Sequence, residues 1–376
     1  MRTEVFILRI LVVSHAAVVE TNQEPFAALA AAGHEVRVVA PRALQTDIRG
    51  RVSLRALSGF GSNLIALPVV LGGYRRMLGG QRGIHLIFYR GLARVVAEQR
   101  ADIVFVEEEP FSLAAWQVTR TGMRFVVHEN QNIARRLPPP FAQIRRRVLA
   151  RAAGVTVRNH AAADLVRGEG FEGPIGSFPH AIDPARYAGR PRDAGLARPV
   201  IGFFGRVVLE KGIFDLIDAA DGTGASLLVV GDGQALGEAR ALAGRRGIAA
   251  LFTGPLAHEE VPSWYGACDL VAIPSRTTPT WMEQFGRIVI EANAAAVPVV
   301  ASNSGELPHT VAATGGGIVV PEGNVGLLRD AIGELLADEG RRRAVGEAGK
   351  AGVEKRFTHA AVAAELARFL VEVAAE

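Results

Sequence analysis

One rhythm constrains this chain more than any other feature: short runs rich in Val, Ile and Phe alternate with amphipathic stretches of helix length, and the pattern occurs twice. Apolar runs too short for helices suit strands covered on both faces, so the rhythm predicts α/β architecture, with parallel sheets flanked by helices. In the first half, strands are expected near Val5–Val13, Glu35–Ala40, Asp102–Glu107, Arg124–His128, Gly154–Val157 and Ile175–Phe178. In the second they are expected near Pro199–Phe204, Ala225–Gly231, Ala249–Thr253, Asp269–Pro274, Val297–Ala301 and Gly317–Val320. At 376 residues the chain exceeds one ordinary core. Asp183 to Arg198 is dense in Pro, Arg, Gly and Ala with no apolar period, which reads as a linker and puts the boundary near residue 190, between domains 1–190 and 191–357. Val362, Leu366, Phe369, Leu370 and Val373 recur at helical spacing, so a packed helix is expected there.

Composition narrows the class. With 49% hydrophobic and 21% charged residues, the chain is neither fibrous nor disordered. The single cysteine, Cys268, forms no internal disulfide and reads as a small buried hydrophobe; a cytoplasmic location is expected. Arg9 interrupts the apolar run at the start, which reads as a strand rather than a signal peptide, and the stretch Leu64 to Leu71 is far shorter than the roughly 18 residues of a membrane span. Net charge is +4, yet the residues up to Asp183 hold 23 Arg and no Lys against 15 acids, so the basic excess lies in the first half. Arg75, Arg76, Arg82, Arg90 and Arg94, and again Arg145, Arg146, Arg147 and Arg151, alternate with apolar residues at roughly helical spacing. Two readings fit: a solvated face, or an interfacial helix on anionic lipid at the inner face of the membrane. Nucleic acid is not an expected partner.

Open α/β sheets bind ligands beyond the carboxyl ends of their strands. In the second half, Gly205, Arg206 and Lys211 follow one strand, and two cations at a sheet mouth suit a diphosphate, though surface charges in a strand–helix loop look the same. Gly231-Asp232-Gly233 and Thr253-Gly254-Pro255-Leu256 follow the next two strands and permit close backbone approach to a ligand or a tight turn. The most informative stretch runs from Pro274 to Ala292, where a strand gives way to a Thr/Pro loop and a helix begins near Phe285-Gly286, leaving amides free for an anion. Glu283 and Glu291 lie eight residues apart, up to roughly 12 Å along a helix, beyond the roughly 5–9.5 Å of a hydrolytic carboxylate pair. They suit two parts of one long ligand, with carboxylates accepting from a ribose diol and from sugar hydroxyls.

Arg206, Lys211, Glu283-Gln284-Phe285-Gly286 and Glu291 together resemble the donor site of the GT-B glycosyltransferases of family 4, and the resemblance spans almost the whole chain. It implies two Rossmann-like domains facing across a cleft, the first binding acceptor and the second the nucleotide sugar, with 358–376 packing back on the first domain. It also implies a retaining, front-face transfer of a hexose-type sugar from a UDP- or GDP-linked donor to a glycan, lipid-linked or small-molecule acceptor, with no cofactor and no metal. By the same resemblance Arg206 and Lys211 hold the diphosphate, Phe285 and Gly286 amides assist, Glu283 holds the sugar, Glu291 the ribose, and His128 faces the donor sugar.

The first half offers fewer signals. His128-Glu129-Asn130-Gln131-Asn132 ends a strand with a polar cluster, and Glu107-Glu108-Glu109 ends the one before, as a solvated turn or an acceptor-binding acid, Glu109. His85 and Tyr89 share a helical face as acceptor-side candidates. Paired glycines, common in the family's first strand–helix loop, are replaced by Ser14 to Gln23, where His15, Asn22 and Gln23 are expected to supply side-chain contacts. A dinucleotide-dependent oxidoreductase is disfavoured because no G-x-G-x-x-G follows the first strand. A GT-B epimerase or hydrolase and a non-catalytic nucleotide-sugar-binding protein stay open as alternatives.

Overall fold

The computed structural model describes residues 6–46, 50–71 and 85–375. The chain divides into two compact units, Met1–Pro179 with His359–Glu376 and His180–Thr358. The division falls before the composition break near residue 190, because the segment after His180 packs into the second unit. There Ile182 bridges Thr358 and the Tyr187 ring lies 5.9 Å from that of Tyr265.

The first unit contains β1 (Arg9–Val13), β2 (Glu35–Pro41), β3 (Ala43–Thr46), β4 (Gly50–Ser53), β5 (Leu64–Leu67), β6 (Val69–Leu71), β7 (Ile87–Tyr89), β8 (Ile103–Val106), β9 (Phe125–Glu129), β10 (Gly154–Val157) and β11 (Ile175–Ser177). Seven of these form one sheet in the order β11-β10-β9-β8-β1-β2-β5, every pair parallel. Leu11, Val104, Val127 and Val155 are wholly buried on one face and Ile10, Val12, Ile103, Phe105 and Val126 on the other, the burial on both faces that parallel strands require. β3–β4 and β6–β7 are antiparallel pairs outside that sheet. The first strand starts at Arg9 rather than Val5; Phe6 and Ile7 precede it and are exposed, and Val5 lies outside the described residues. Pairing begins where Arg9 meets Glu35 and Asp102 accepts from both the Arg9 amide, at 2.7 Å, and its guanidinium.

The helix His359–Ala375 buries Val362, Leu366, Phe369, Leu370 and Val373 in this first unit. It lies so close to β10 and β11 that a Cβ on Gly154 or Gly176 would sit 3.0 or 2.6 Å from the Phe369 ring.

The second unit contains β12 (Val200–Phe204), β13 (Ser226–Val230), β14 (Ala250–Gly254), β15 (Leu270–Ile273), β16 (Val299–Ser302) and β17 (Gly317–Val320), in the order β14-β13-β12-β15-β16-β17 and all parallel. Numbered within the unit this is 3-2-1-4-5-6, the dinucleotide-fold order, and the first sheet follows it with one strand added. Strand order therefore reverses between β1 and β8 in one unit and between β12 and β15 in the other. Crevices for ligands open at such points.

Of the two readings of the arginine segments, the helices among the described residues favour the solvated face, because their apolar sides turn inward. The helix Phe141–Leu149 spends its apolar face on the core through Phe141, Ile144, Val148 and Leu149, and Arg145 is buried with them. The helix Leu92–Gln99 likewise buries Leu92 and Val96, and Arg94 pairs with Glu98. Arg90, Arg146, Arg147 and Arg151 are exposed, while Arg75, Arg76 and Arg82 lie outside the described residues. No described helix is long and apolar enough to cross a membrane.

Candidate active site

In the second unit both strands at the reversal point contribute. Gly212 carries φ +71°, and a Cβ there would lie 1.9 Å from the Pro274 carbonyl oxygen, so only glycine lets the turn after β12 press against the end of β15. That contact sets Lys211 beside Glu283. Its ammonium pairs with Glu283 Oε1, which also accepts from Ser275 Oγ at 2.9 Å, and the Trp281 ring lies 4.9 Å from Nζ. The two side chains are only 15% and 9% exposed, so neither charge is well hydrated and each depends on the other.

The segment between the two glutamates is held from behind. The Glu306 amide donates to the Glu283 carbonyl at 3.1 Å and Thr310 Oγ1 donates to the Phe285 carbonyl at 2.6 Å. The Phe285 side chain belongs to the core, edge-on to His180 and Phe357 at 5.3 and 5.8 Å, so what this residue leaves for a ligand is backbone. Gly286, at φ +77°, precedes the helix Arg287–Ala294, and Glu291 lies on that helix. Its Oε2 accepts from Tyr265 Oη and its Oε1 from Arg287 Nε, each at 2.7 Å. Burial first, then the Glu291 charge, pushes the Tyr265 phenol up, so it stays protonated and donates.

Arg206 is exposed and forms no ion pair among the described residues, and Gly205 beside it is open. Asp232 is exposed and its Oδ1 accepts from the Gly233 amide at 2.8 Å, a bond within its own turn. Leu256 is half-buried against the core and Gln284 is exposed. The structure thus brings Lys211 and Glu283 into contact, and gives Glu291 a separate pair of partners.

At the first unit's reversal point Ser14, Glu108 and Glu109 are buried and His15 and Glu107 half-buried. Ser14 Oγ donates to Glu107 Oε2 at 2.6 Å, and Glu108 accepts from the His15 amide and contacts its Nδ1 at 2.8 and 2.7 Å. Burial pulls the His15 pKa down, but the Glu108 carboxylate outweighs it and the pKa stands raised. Glu108 and Glu109 are buried, so the three acids are not a solvated turn. Burial raises the Glu107 carboxyl; Glu109 goes well above the usual range by burial and then by the neighbouring Glu129 charge, which makes it a neutral acid. Glu129 itself is wholly buried and paired with Arg145, whose Nε also reaches Glu169 at 2.7 Å.

His128 is wholly buried on β9 and both ring nitrogens have partners in this unit: Nδ1 meets Thr156 Oγ1 at 2.9 Å and Nε2 meets Arg158 Nη2 at 3.1 Å. A guanidinium only donates, so Nε2 accepts and the ring proton sits on Nδ1, donated to Thr156. Burial and then the Arg158 charge hold the His128 pKa well below the imidazole range, so the ring is neutral. Arg158 Nε also donates to Asn130 Oδ1.

The expectations for Gln23 and for the pair His85 and Tyr89 are corrected, while Asn22 stays exposed with one bond to its own loop. Gln23 is fully spent on backbone, its amide bonding the Ala17 and Arg55 carbonyls and the Leu57 amide at 2.7–2.8 Å, and Asn22 Nδ2 donates to the Ala16 carbonyl at 2.8 Å. They brace the loop that glycines would have left open. His85 and Tyr89 share no helical face: Tyr89 lies on β7, wholly buried, because the Val69–Tyr89 pairing makes this stretch a strand.

Sequence reading missed Arg158, Thr156, Tyr265, Arg287, Ser275 and Trp281. Arg287 was discoverable, one helical turn before Glu291, and Ser275 and Trp281 stand inside the informative stretch. Tyr265 and Thr156, 26 and 28 positions from their partners, carry no local signal.

Known proteins converge on one family. A family model described as "Glycosyl transferases group 1" matches residues 192–352, and a "Glycosyl transferase 4-like domain" matches 18–175. A GDP-mannose-dependent alpha-(1-6)-phosphatidylinositol monomannoside mannosyltransferase of Mycobacterium tuberculosis is 36% identical over 220 residues, 53% of this chain and 57% of that protein, so the chain spans little more than half of that relative's length. Its namesake from Mycolicibacterium smegmatis is 30% identical over 281 residues, 69% of this chain and 73% of the relative. Among solved structures, Anabaena HepE in complex with UDP superposes with a TM-score of 0.70 at 19% identity, covering 97% of this chain and 100% of that one, a likeness of fold. The two matched domains and the shared length of the M. smegmatis relative agree with the paired parallel sheets, and the chain belongs to the GT-B glycosyltransferases of family 4.

Proposed function

We propose that this protein transfers a hexose from a nucleoside diphosphate sugar to an acceptor with retention of anomeric configuration and without a metal. The observation that carries the reading is the Lys211–Glu283 pair at the second sheet's reversal point, with exposed Arg206 on the same loop and Glu291 along the next helix. A buried ammonium and carboxylate that neutralise each other are poised for exchange. An arriving diphosphate draws Lys211 and Arg206 to its oxygens, and Glu283 is released to accept from sugar hydroxyls. Charge that develops on the departing diphosphate then meets two cations already in place. Glu291, held by Tyr265 and Arg287, accepts from the ribose hydroxyls. With the carboxylates engaged in hydroxyl binding, no side chain is assigned as a covalent nucleophile, and the leaving oxygen takes the acceptor's proton on the same face.

The donor proposed first is GDP-mannose, the donor named for the two mycobacterial relatives, and the acceptor class is a glycan, a lipid-linked or a small-molecule hydroxyl. Arg146 and Arg147 remain exposed for anionic headgroups, so peripheral membrane contact is retained in electrostatic form. The test is a panel of GDP- and UDP-sugars by thermal shift, since a specific donor stabilises the fold by mass action. Turnover with the selected donor follows, with EDTA and with NMR of the product anomer. A shift with one donor, α-product from α-donor and insensitivity to EDTA support the reading. No shift with any donor, inverted product or loss with EDTA each removes its own part, and sugar release without acceptor transfer points to a hydrolase.

A further inference from the structure

Arg287 is the first residue of the helix Arg287–Ala294, directly after Gly286, and its Nε donates to Glu291 Oε1 one turn along. Helix stability does not account for this pair. A cation in the first turn opposes the macrodipole, and an ion pair with the basic residue N-terminal to the acidic one is the weaker of the two orders. The first turn holds no acidic residue to offset the charge. Packing does not account for it either, because the Arg287 side chain is 46% exposed. A residue set against local preference with no structural gain is the kind found where function is served.

Glu291 divides its two oxygens between unlike partners. Oε2 accepts from Tyr265, which is wholly buried with its ring stacked on Phe204 at 4.0 Å, so that bond is fixed. Oε1 accepts from the exposed arginine, the partner with room to leave. A displaced guanidinium keeps its charge and presents a planar fork that matches a phosphate. Arg287 and Glu291 stand four residues, about 6 Å of helix, apart, so a ribose diol on the carboxylate brings its 5′ phosphate within reach of the guanidinium.

The pair also repeats a pattern. Glu283 carries Lys211 as Glu291 carries Arg287, two carboxylates each neutralised by one cation. A nucleoside diphosphate sugar has hydroxyls at both ends and two phosphates between, so it satisfies both carboxylates and both cations at once. We propose that Arg287 binds the α-phosphate of the nucleotide and in exchange yields Glu291 Oε1 to the ribose diol. The nucleotide as ligand rests on the transferase reading. The exchange does not depend on which sugar is transferred or what receives it.

The experiment titrates guanosine, GMP and GDP into the full native chain and into Arg287→Met, which keeps the apolar stem and removes the fork. Uridine, UMP and UDP take their place if the donor panel selects a UDP-sugar. Calorimetry reads the nucleotides, and NMR titration at millimolar concentration reads the nucleoside. GMP and GDP each bind about tenfold more weakly to the variant, the loss of one charged hydrogen-bonding partner, while guanosine binds as tightly as before or more tightly, since nothing competes with it for Glu291. Arg287→Gln repeats the test with a neutral polar side chain and shows the same pattern. Unchanged GMP and GDP affinity in both variants overturns the proposal. Equal weakening of all three ligands also overturns it, because the arginine then only orients Glu291. A loss confined to GDP overturns the assignment to the α-phosphate. A native chain that binds none of the nucleotides fails the transferase reading itself, which is a separate outcome from native binding that the variants leave unaltered.

Discussion

The two sheets share one strand order and place polar residues at the same reversal point, yet they treat charge in opposite ways. In the second unit, Lys211 and Glu283 are paired but reachable, and Arg206 stands exposed. In the first, Glu109, Glu129, Arg145 and His128 are withdrawn from water, Glu129 pairs with Arg145, and His128 is held between Thr156 and Arg158. An exchangeable pair suits a ligand that arrives and leaves as a polyanion. A closed network suits a site that must keep its shape and give each proton a fixed address.

The sharpest way to break the contrast is Lys211→Ala. It strips a cation from the proposed leaving group and leaves Glu283 with Ser275 but no ammonium, so kcat should fall by about a hundred- to a thousandfold, as when one transition-state donor is lost, with the fold intact by circular dichroism. Near-normal turnover would remove Lys211 from the chemistry. Next comes Glu291→Ala, for which nucleoside diphosphate affinity by calorimetry should drop about tenfold, the loss of one charged hydrogen-bonding partner. Unchanged affinity would return Glu291 to a purely structural role with Tyr265.

Arg158→Gln probes the other side. With the guanidinium gone, the smaller of the two causes is removed and burial stays, so the His128 pKa rises and its NMR titration should move to higher pH in the variant than in the native protein. An accompanying shift of the acid limb in the kcat profile is expected, and identical titration in both proteins would mean that burial alone keeps the ring neutral. The smallest effect belongs to Glu109→Gln. Because the folded carboxyl pKa is raised, the native state binds more protons than the unfolded one above the ordinary Glu range of about 4.3, and its stability falls as pH rises through that window. Gln mimics the neutral acid and escapes this loss. The variant should therefore melt a few degrees higher at pH 8 and no higher at pH 4; a lower melting temperature at pH 8 would show Glu109 to be ionised and useful.

What could be read from sequence divides along the same line. The sheet strands buried on both faces announced themselves as Val- and Ile-rich runs, whereas β3 to β7 did not, being three or four residues long and, in β5 to β7, alternately exposed, as at Val70 and Phe88. Glu283 and Glu291 stood out as candidates because they share one short stretch with the glycine that starts the helix Arg287–Ala294. The first unit's network was not, because Ser14 and Glu107 are 93 positions apart and only the reversal of strand order makes them neighbours. Arginine spacing misled at Arg145 for a related reason: a helix with one apolar face looks the same whether that face meets lipid or its own sheet.

The helix His359–Ala375 gives the molecule an order of assembly. The first unit is discontinuous in sequence, and its β10 and β11 await a helix that the ribosome delivers only after the whole of His180–Thr358 has been made. The second unit is thus born complete, while the unit that precedes it must wait with an apolar seam open at Gly154 and Gly176. Anyone excising the first half for study should carry this helix along, fused through a linker, because residues up to Pro179 alone lack the partner for that seam.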